Sequence, residues 1–166
     1  MENYDWSKFK QRIPVNADPQ KIYDAWATPA GLEKWFLRRA SFKKENGEAR
    51  DDHDQIQPGD TYEWNWFGWS DDMCERGKIL EANGKNAFSF VFGKAGVVKV
   101  SIMQEGGQTM VELVQEQIPT DEKSKVDFHL GCSTGWTFYL ANIKSIYEGG
   151  LDLRNKDETI KKVVNS

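Results

Sequence analysis

Cysteine and histidine are scarce in this sequence, with two of each among 166 residues. Cys74 and Cys132 lie far apart and neither belongs to a CxxC pair. His53 and His129 fall at no metal-ligand spacing, so neither a zinc site nor a dithiol redox centre is encoded. Both thiols are expected to be reduced and buried. His53 stands among Asp51, Asp52 and Asp54, but adjacent side chains cannot all converge on one ion. That stretch reads as a solvated loop without metal. Long apolar runs are missing, which excludes a membrane-spanning helix. Residues 1–9 are polar and charged, without the apolar stretch of a signal peptide, so the expected location is cytoplasmic. Clustered basic charge is missing too. A net charge of −4 with scattered Lys and Arg leaves no footprint for nucleic acid or an anionic membrane. GxSxG, P-loop, GxGxxG and HExxH motifs are all absent, so no catalytic residues and no cofactor are implied.

Aromatic residues are what the chain has in quantity: seven Trp and nine Phe. Large rings suit broad packed faces and ligand walls alike. Their spacing gives the elements. Residues 8–15 alternate with period two and form a first strand, which Pro14 confines to an edge or an end. Asp18-Pro19 and Thr28-Pro29 are two cap-plus-proline starts in a dozen residues, so two short helices follow. Their apolar faces carry Ile22, Tyr23, Ala25 and Trp26, then Leu32, Trp35 and Phe36. Residues 40–42 suggest a short strand, and residues 43–57 a polar loop. From Pro58-Gly59-Asp60 onward the pattern is strand and turn. Tyr62, Trp64 and Trp66 share one face, residues 74–82 return, Asn83-Gly84 turns, and Phe88, Phe90 and Phe92 alternate. Residues 97–104 and 110–117 complete an antiparallel meander.

After Pro119 the period becomes helical. Phe128, Cys132, Trp136, Leu140, Ile143 and Tyr147 make one stripe over an expected helix at residues 123–148, ended by Gly149-Gly150. Gly131 and Gly135 interrupt it at about 1 kcal/mol each, which suggests a close approach by another backbone or a ligand. Residues 151–166 form a charged C-terminal tail or a short helix near 158–164. The length fits one domain over residues 1–166. An antiparallel sheet with one apolar face needs a cover, and this helix supplies it. The fold class is α+β: a curved antiparallel sheet around a long C-terminal helix, with two short helices after the first strand.

Ile13-Pro14-Val15-Asn16-Ala17-Asp18-Pro19 followed by Ile22-Tyr23-Asp24-Ala25-Trp26 resembles the opening of START-like (SRPBCC, helix-grip) proteins, and Thr28-Pro29 and Trp35-Phe36 continue it. Pro58-Gly59-Asp60 before an aromatic strand, and Gly135-Trp136 in the last helix, are similar to the branch named for the activator of ninety-kilodalton heat-shock-protein ATPase. The resemblance covers residues 8–150 and implies a helix-grip fold with a cavity. Members of the superfamily include lipid carriers, aromatic cyclases and chaperone regulators, so no single activity follows. The eukaryotic chaperone activators carry a further N-terminal domain, for which 166 residues leave no room.

Period and stripe together aim Tyr62, Trp64, Trp66, Phe88, Phe90 and Phe92 at Trp136, Leu140 and Ile143. These rings would serve a pocket for a small apolar molecule or a filled core equally well. Arg76, within a strand, either faces inward to meet an anionic group or points to solvent. His129, on the flank of the stripe, has the pKa of a general acid or base but no nucleophile or carboxylate beside it. Trp69, at a loop tip, suits a lid or a partner contact. Two functions result: a carrier of an apolar or aromatic ligand, or an interaction module of the chaperone-regulator kind with a closed cavity. A cyclase-like enzyme is the weaker third.

Overall fold

A computed structural model describes residues 3–164. β1 (Phe9–Val15) leads to Asp18, whose carboxylate accepts the N–H groups of Gln20 at 2.9 Å and Lys21 at 3.2 Å. That cap opens α1 (Pro19–Ala27). Thr28 opens α2 (Pro29–Trp35) by accepting the Gly31 N–H at 3.0 Å. Pro19 and Pro29 take early helical positions, where a missing N–H costs nothing. Gly31 permits the tight corner, because a Cβ there would overlap the Asp24 carbonyl oxygen.

The remaining strands are β2 (Arg39–Lys43), β3 (Thr61–Asn65), β4 (Glu75–Ala82), β5 (Ala87–Val91), β6 (Val97–Glu105) and β7 (Gln108–Glu116). They form one antiparallel sheet in the order β1-β7-β6-β5-β4-β3-β2, with Pro14 on an edge strand as expected. Alternation turns Tyr62, Trp64, Phe88, Phe90, Val98, Val100, Val111 and Leu113 into the core. Gly77 lies opposite Tyr62 in the register, and a Cβ there would overlap the Tyr62 ring. The Tyr62 hydroxyl reaches over it to donate to the Val91 carbonyl at 2.6 Å. The Pro58-Gly59-Asp60 turn serves the loop before β3. Asp60, buried, takes a bidentate pair from Arg50 at 2.6 and 3.0 Å and accepts the Gln57 N–H at 2.9 Å.

The expected last helix is present but not uniform. It starts as α3 (Glu122–Ser124), widens to a π-helical stretch at Lys125–Leu130, and continues as α4 (Gly131–Tyr147). A π turn takes in about one residue more than an α turn, and of the stripe only Phe128 lies in that stretch. Trp136, Leu140 and Ile143 all face the sheet and are buried.

The short helix expected near residues 158–164 is not formed; the tail runs through bends and turns. What orders it is Arg154. Its guanidinium donates to the Leu37 carbonyl at 2.9 Å and the Lys34 carbonyl at 2.8 Å, and pairs with Asp152 at 2.7 Å. Asn142, buried on α4, donates to the Trp35 carbonyl at 2.7 Å and accepts the Leu153 N–H at 2.7 Å. The last carbonyls around α2 are therefore capped from the C-terminal end of the chain.

Candidate functional site

The space between sheet and helix is filled at one end. Tyr62 stacks on Trp64 with centroids 3.9 Å apart, Trp26 meets Trp35 edge-on at 4.6 Å, and Phe36 stacks on Trp136 at 4.9 Å. Trp64, Phe90 and Ile143 have no exposed surface at all.

Toward the other end the packing stops. Trp66 follows β3 and Phe92 follows β5, and both are half-buried. Beyond them lies a cavity of about 560 Å³, walled by Trp66, Trp69, Glu75, Phe92, Phe128 and Cys132. A second lobe of about 280 Å³ shares Trp66, Trp69, Phe92 and Cys132 and extends to Gly135, Trp136 and Tyr139. The loop carrying Trp69 is held down by an ion pair between Arg38 and Asp71 and by Asn65, which donates to the Asp71 carbonyl at 3.3 Å. Gln115, fully buried, fixes the inner wall. It accepts the Trp136 indole N–H at 2.9 Å and donates to the Ala95 carbonyl at 2.9 Å.

At Gly135 the expected close approach of another backbone is not found, and a Cβ there would meet nothing within 4 Å. Gly131 is similar, with only the Val126 carbonyl at 3.5 Å. Both glycines border the smaller lobe. A side chain at Gly135 would stand in open space beside that lobe.

The titratable groups at the site are shifted mainly by burial. It pushes the Glu75 carboxyl up, with the Arg76 N–H and charge opposing. It also pushes the Cys132 thiol up and the Tyr139 hydroxyl up to about 12. A thiol so shifted is neutral at neutral pH and a poor nucleophile. The Glu75 carboxylate lies close enough to add to that rise, and a hydrogen bond with Gln115 opposes it. Among the described residues no cluster of His, Cys, Asp and Glu could hold a metal ion.

The structure brings Trp66, Trp69, Phe92 and Trp136 to this cavity. Tyr62, Trp64, Phe88, Phe90, Leu140 and Ile143 lie away from it, in the packed core. Arg76 points to solvent with its side chain 68% exposed and pairs with Glu63 at 2.8 Å. The inward reading of Arg76 is thereby corrected. The register pairs Trp64 with Glu75 and Tyr62 with Gly77, so Glu75, Gly77 and Ile79 face in, until a bulge between Ile79 and Glu81 reverses the parity. Counting back by twos from apolar Ile79 would have found Glu75. His129 is buried away from the cavity. Its Nε2 lies 2.9 Å from the Tyr4 hydroxyl and its Nδ1 2.9 Å from the Trp6 carbonyl, so it clamps the N-terminal segment. His53 is exposed. Cys74 and Cys132 are free and half-buried, not fully buried, and both border the larger lobe.

Comparison with known proteins agrees with this architecture. The model of the family described as "Activator of Hsp90 ATPase homolog 1-like protein" matches residues 16–148. The solution structure of the Aha1 dimer from Colwellia psychrerythraea is similar over 86% of this chain and 97% of that one, with a TM-score of 0.65 and 20% identity. Protein SSP2350 from Staphylococcus saprophyticus is similar over 89% and 96%, at TM-score 0.67 and 16% identity. Protein MLL2253 from Mesorhizobium loti is similar over 87% and 99%, at 0.65 and 13%. At these identities the likeness is one of fold. No curated protein matches the chain.

Proposed function

This chain belongs to the Activator of Hsp90 ATPase homolog 1-like family, and from that premise we propose that it is a binding protein for a small apolar or aromatic molecule. The ligand occupies the cavity walled by Trp66, Trp69, Phe92, Phe128 and Cys132. The observation that carries the reading is this space of about 560 Å³ at the mouth of the grip, because its volume and aromatic walls match small-molecule sites. The glycines at 131 and 135 support it, since each forgoes helix propensity where a side chain would fill the smaller lobe.

The test is a titration with N-phenyl-1-naphthylamine followed by tryptophan fluorescence, with native mass spectrometry of freshly purified protein beside it. Trp66, Trp69 and Trp136 border the two lobes, so a ligand there changes the polarity around them. A saturable shift, or a co-purifying small molecule, supports the reading. Silence across a broad apolar library overturns it. A chaperone-regulator role is the second reading, favoured by Trp69 and Met73, which are 50% and 55% exposed on one loop. In that reading the loop is a contact for a ninety-kilodalton heat-shock protein. Trp69→Ala should then abolish its capture in a pull-down from purified components.

A further inference from the structure

We propose that the ligand of this cavity is a monocation with an apolar body, its ammonium group paired with the carboxylate of Glu75. The inference rests on the cavity reading above and adds the charge of the ligand.

Glu75 is the first residue of β4 and lies opposite Trp64 in the register, on the inward face that continues through Gly77 to buried Ile79. An acidic side chain there takes a position that core packing would give to an apolar one. Its carboxylate accepts the N–H of Arg76 at 3.0 Å and forms no ion pair among the described residues. The guanidinium of Arg76, next in sequence, is turned outward to Glu63 at 2.8 Å. A half-buried carboxylate without a counter-ion is costly unless something supplies the missing charge.

The rest of the lining points the same way. The other charged residues of the larger lobe are Asp72 and Lys94, both exposed at its rim, and the smaller lobe adds Asp127. Asp127 is matched by Lys123. Facing Glu75 from neighbouring elements are Tyr62 on β3 and Cys132 on α4, and burial keeps both neutral. The walls are Trp66, Trp69 and Phe92, whose ring faces attract cations and not anions. An aromatic box with one unmatched inward carboxylate selects an ammonium over an alcohol, and an alcohol over a carboxylate.

The experiment compares decylammonium, decanol and decanoate, three probes with one tail and different heads, by isothermal titration calorimetry of the full chain at neutral pH. Decylammonium is expected to bind at least about tenfold more tightly than decanol, the scale of one charge-assisted hydrogen bond, and decanoate most weakly. In Glu75→Gln the ratio of ammonium to alcohol affinity should fall toward one. Equal affinities in the wild type overturn the cation proposal and leave the cavity reading standing. A preference for decanoate, or a preference for decylammonium that survives Glu75→Gln, also overturns it. Failure of all three probes to bind removes the cavity reading itself. Should Glu75→Gln not fold, the carboxyl carbon resonance of Glu75 in the wild type serves instead. Its titration midpoint must drop with decylammonium and rise with decanol, and any other pattern overturns the proposal.

Discussion

The two ends of the grip use the same kinds of residue to opposite effect. At the closed end Trp26, Trp35, Trp64 and Phe90 interlock and exclude all solvent. At the open end Trp66 and Phe92, just beyond β3 and β5, and Trp69, on its loop, border about 560 Å³ of open space. Ring content is therefore not what makes the cavity. The difference lies in what opposes the rings. On the helix Trp136 packs against Phe36 and Phe90, whereas the larger space meets only Phe128 and Cys132, and the smaller lobe is bordered by Gly131 and Gly135. Aromatic richness makes walls, and the extent of the facing element decides whether space remains between them.

Substitutions at each end should break or sharpen this contrast. The largest effect is expected from Trp64→Ala, which should cost about 3–5 kcal/mol in urea denaturation as a cavity opens in a close-packed core. Arg154→Ala should cost about 1–3 kcal/mol, because the Leu37 and Lys34 carbonyls lose their buried donor. The same variant tests a pH dependence. Burial pushes the Asp152 carboxyl up, but bonds from Arg154 and Lys156 outweigh it and hold it well below the usual carboxylate range. A depressed carboxylate contributes stability that is present above its unfolded pKa, near about 4, and lost as pH falls. Wild-type stability should thus decline on acidification below about pH 5, and Arg154→Ala should flatten that slope. Gly135→Ala should raise stability by up to about 1 kcal/mol, since the new methyl group meets nothing. It should also weaken ligand binding in the smaller lobe; a fall in melting temperature would show that the wall is already occupied. Trp69→Ala, half-exposed on its loop, should shift stability by no more than about 0.5 kcal/mol. A loss near that of Trp64→Ala would erase the distinction between the two ends.

The local features of this fold were legible in the sequence. Asp18 and Thr28 cap through side chains two or three residues away, and Asn83-Gly84 turns because Gly84 takes a φ of 75°. Period two and the helical stripe correctly assigned the sheet and its cover. The site was legible only in part. Trp66, Phe92 and Trp136 share their pattern with core residues, and the boundary between packed and open depends on where opposing elements run out. Arg76 and Glu75 hinged on the parity of one strand, which the register settles and composition does not. Arg154 and Asn142 gave no local signal, because their partners lie far away along the chain.

That last separation has a consequence for biosynthesis. Arg154 and the Leu37 carbonyl it holds are 117 residues apart. Translation releases α2 well before the segment that caps it, so the helix pair waits with its final carbonyls open while the sheet is still being made. Locking the grip is then coupled to release of residue 154. A nascent chain stalled before residue 154 would present the Lys34 and Leu37 carbonyls without their donor, a defect confined to the turn after α2.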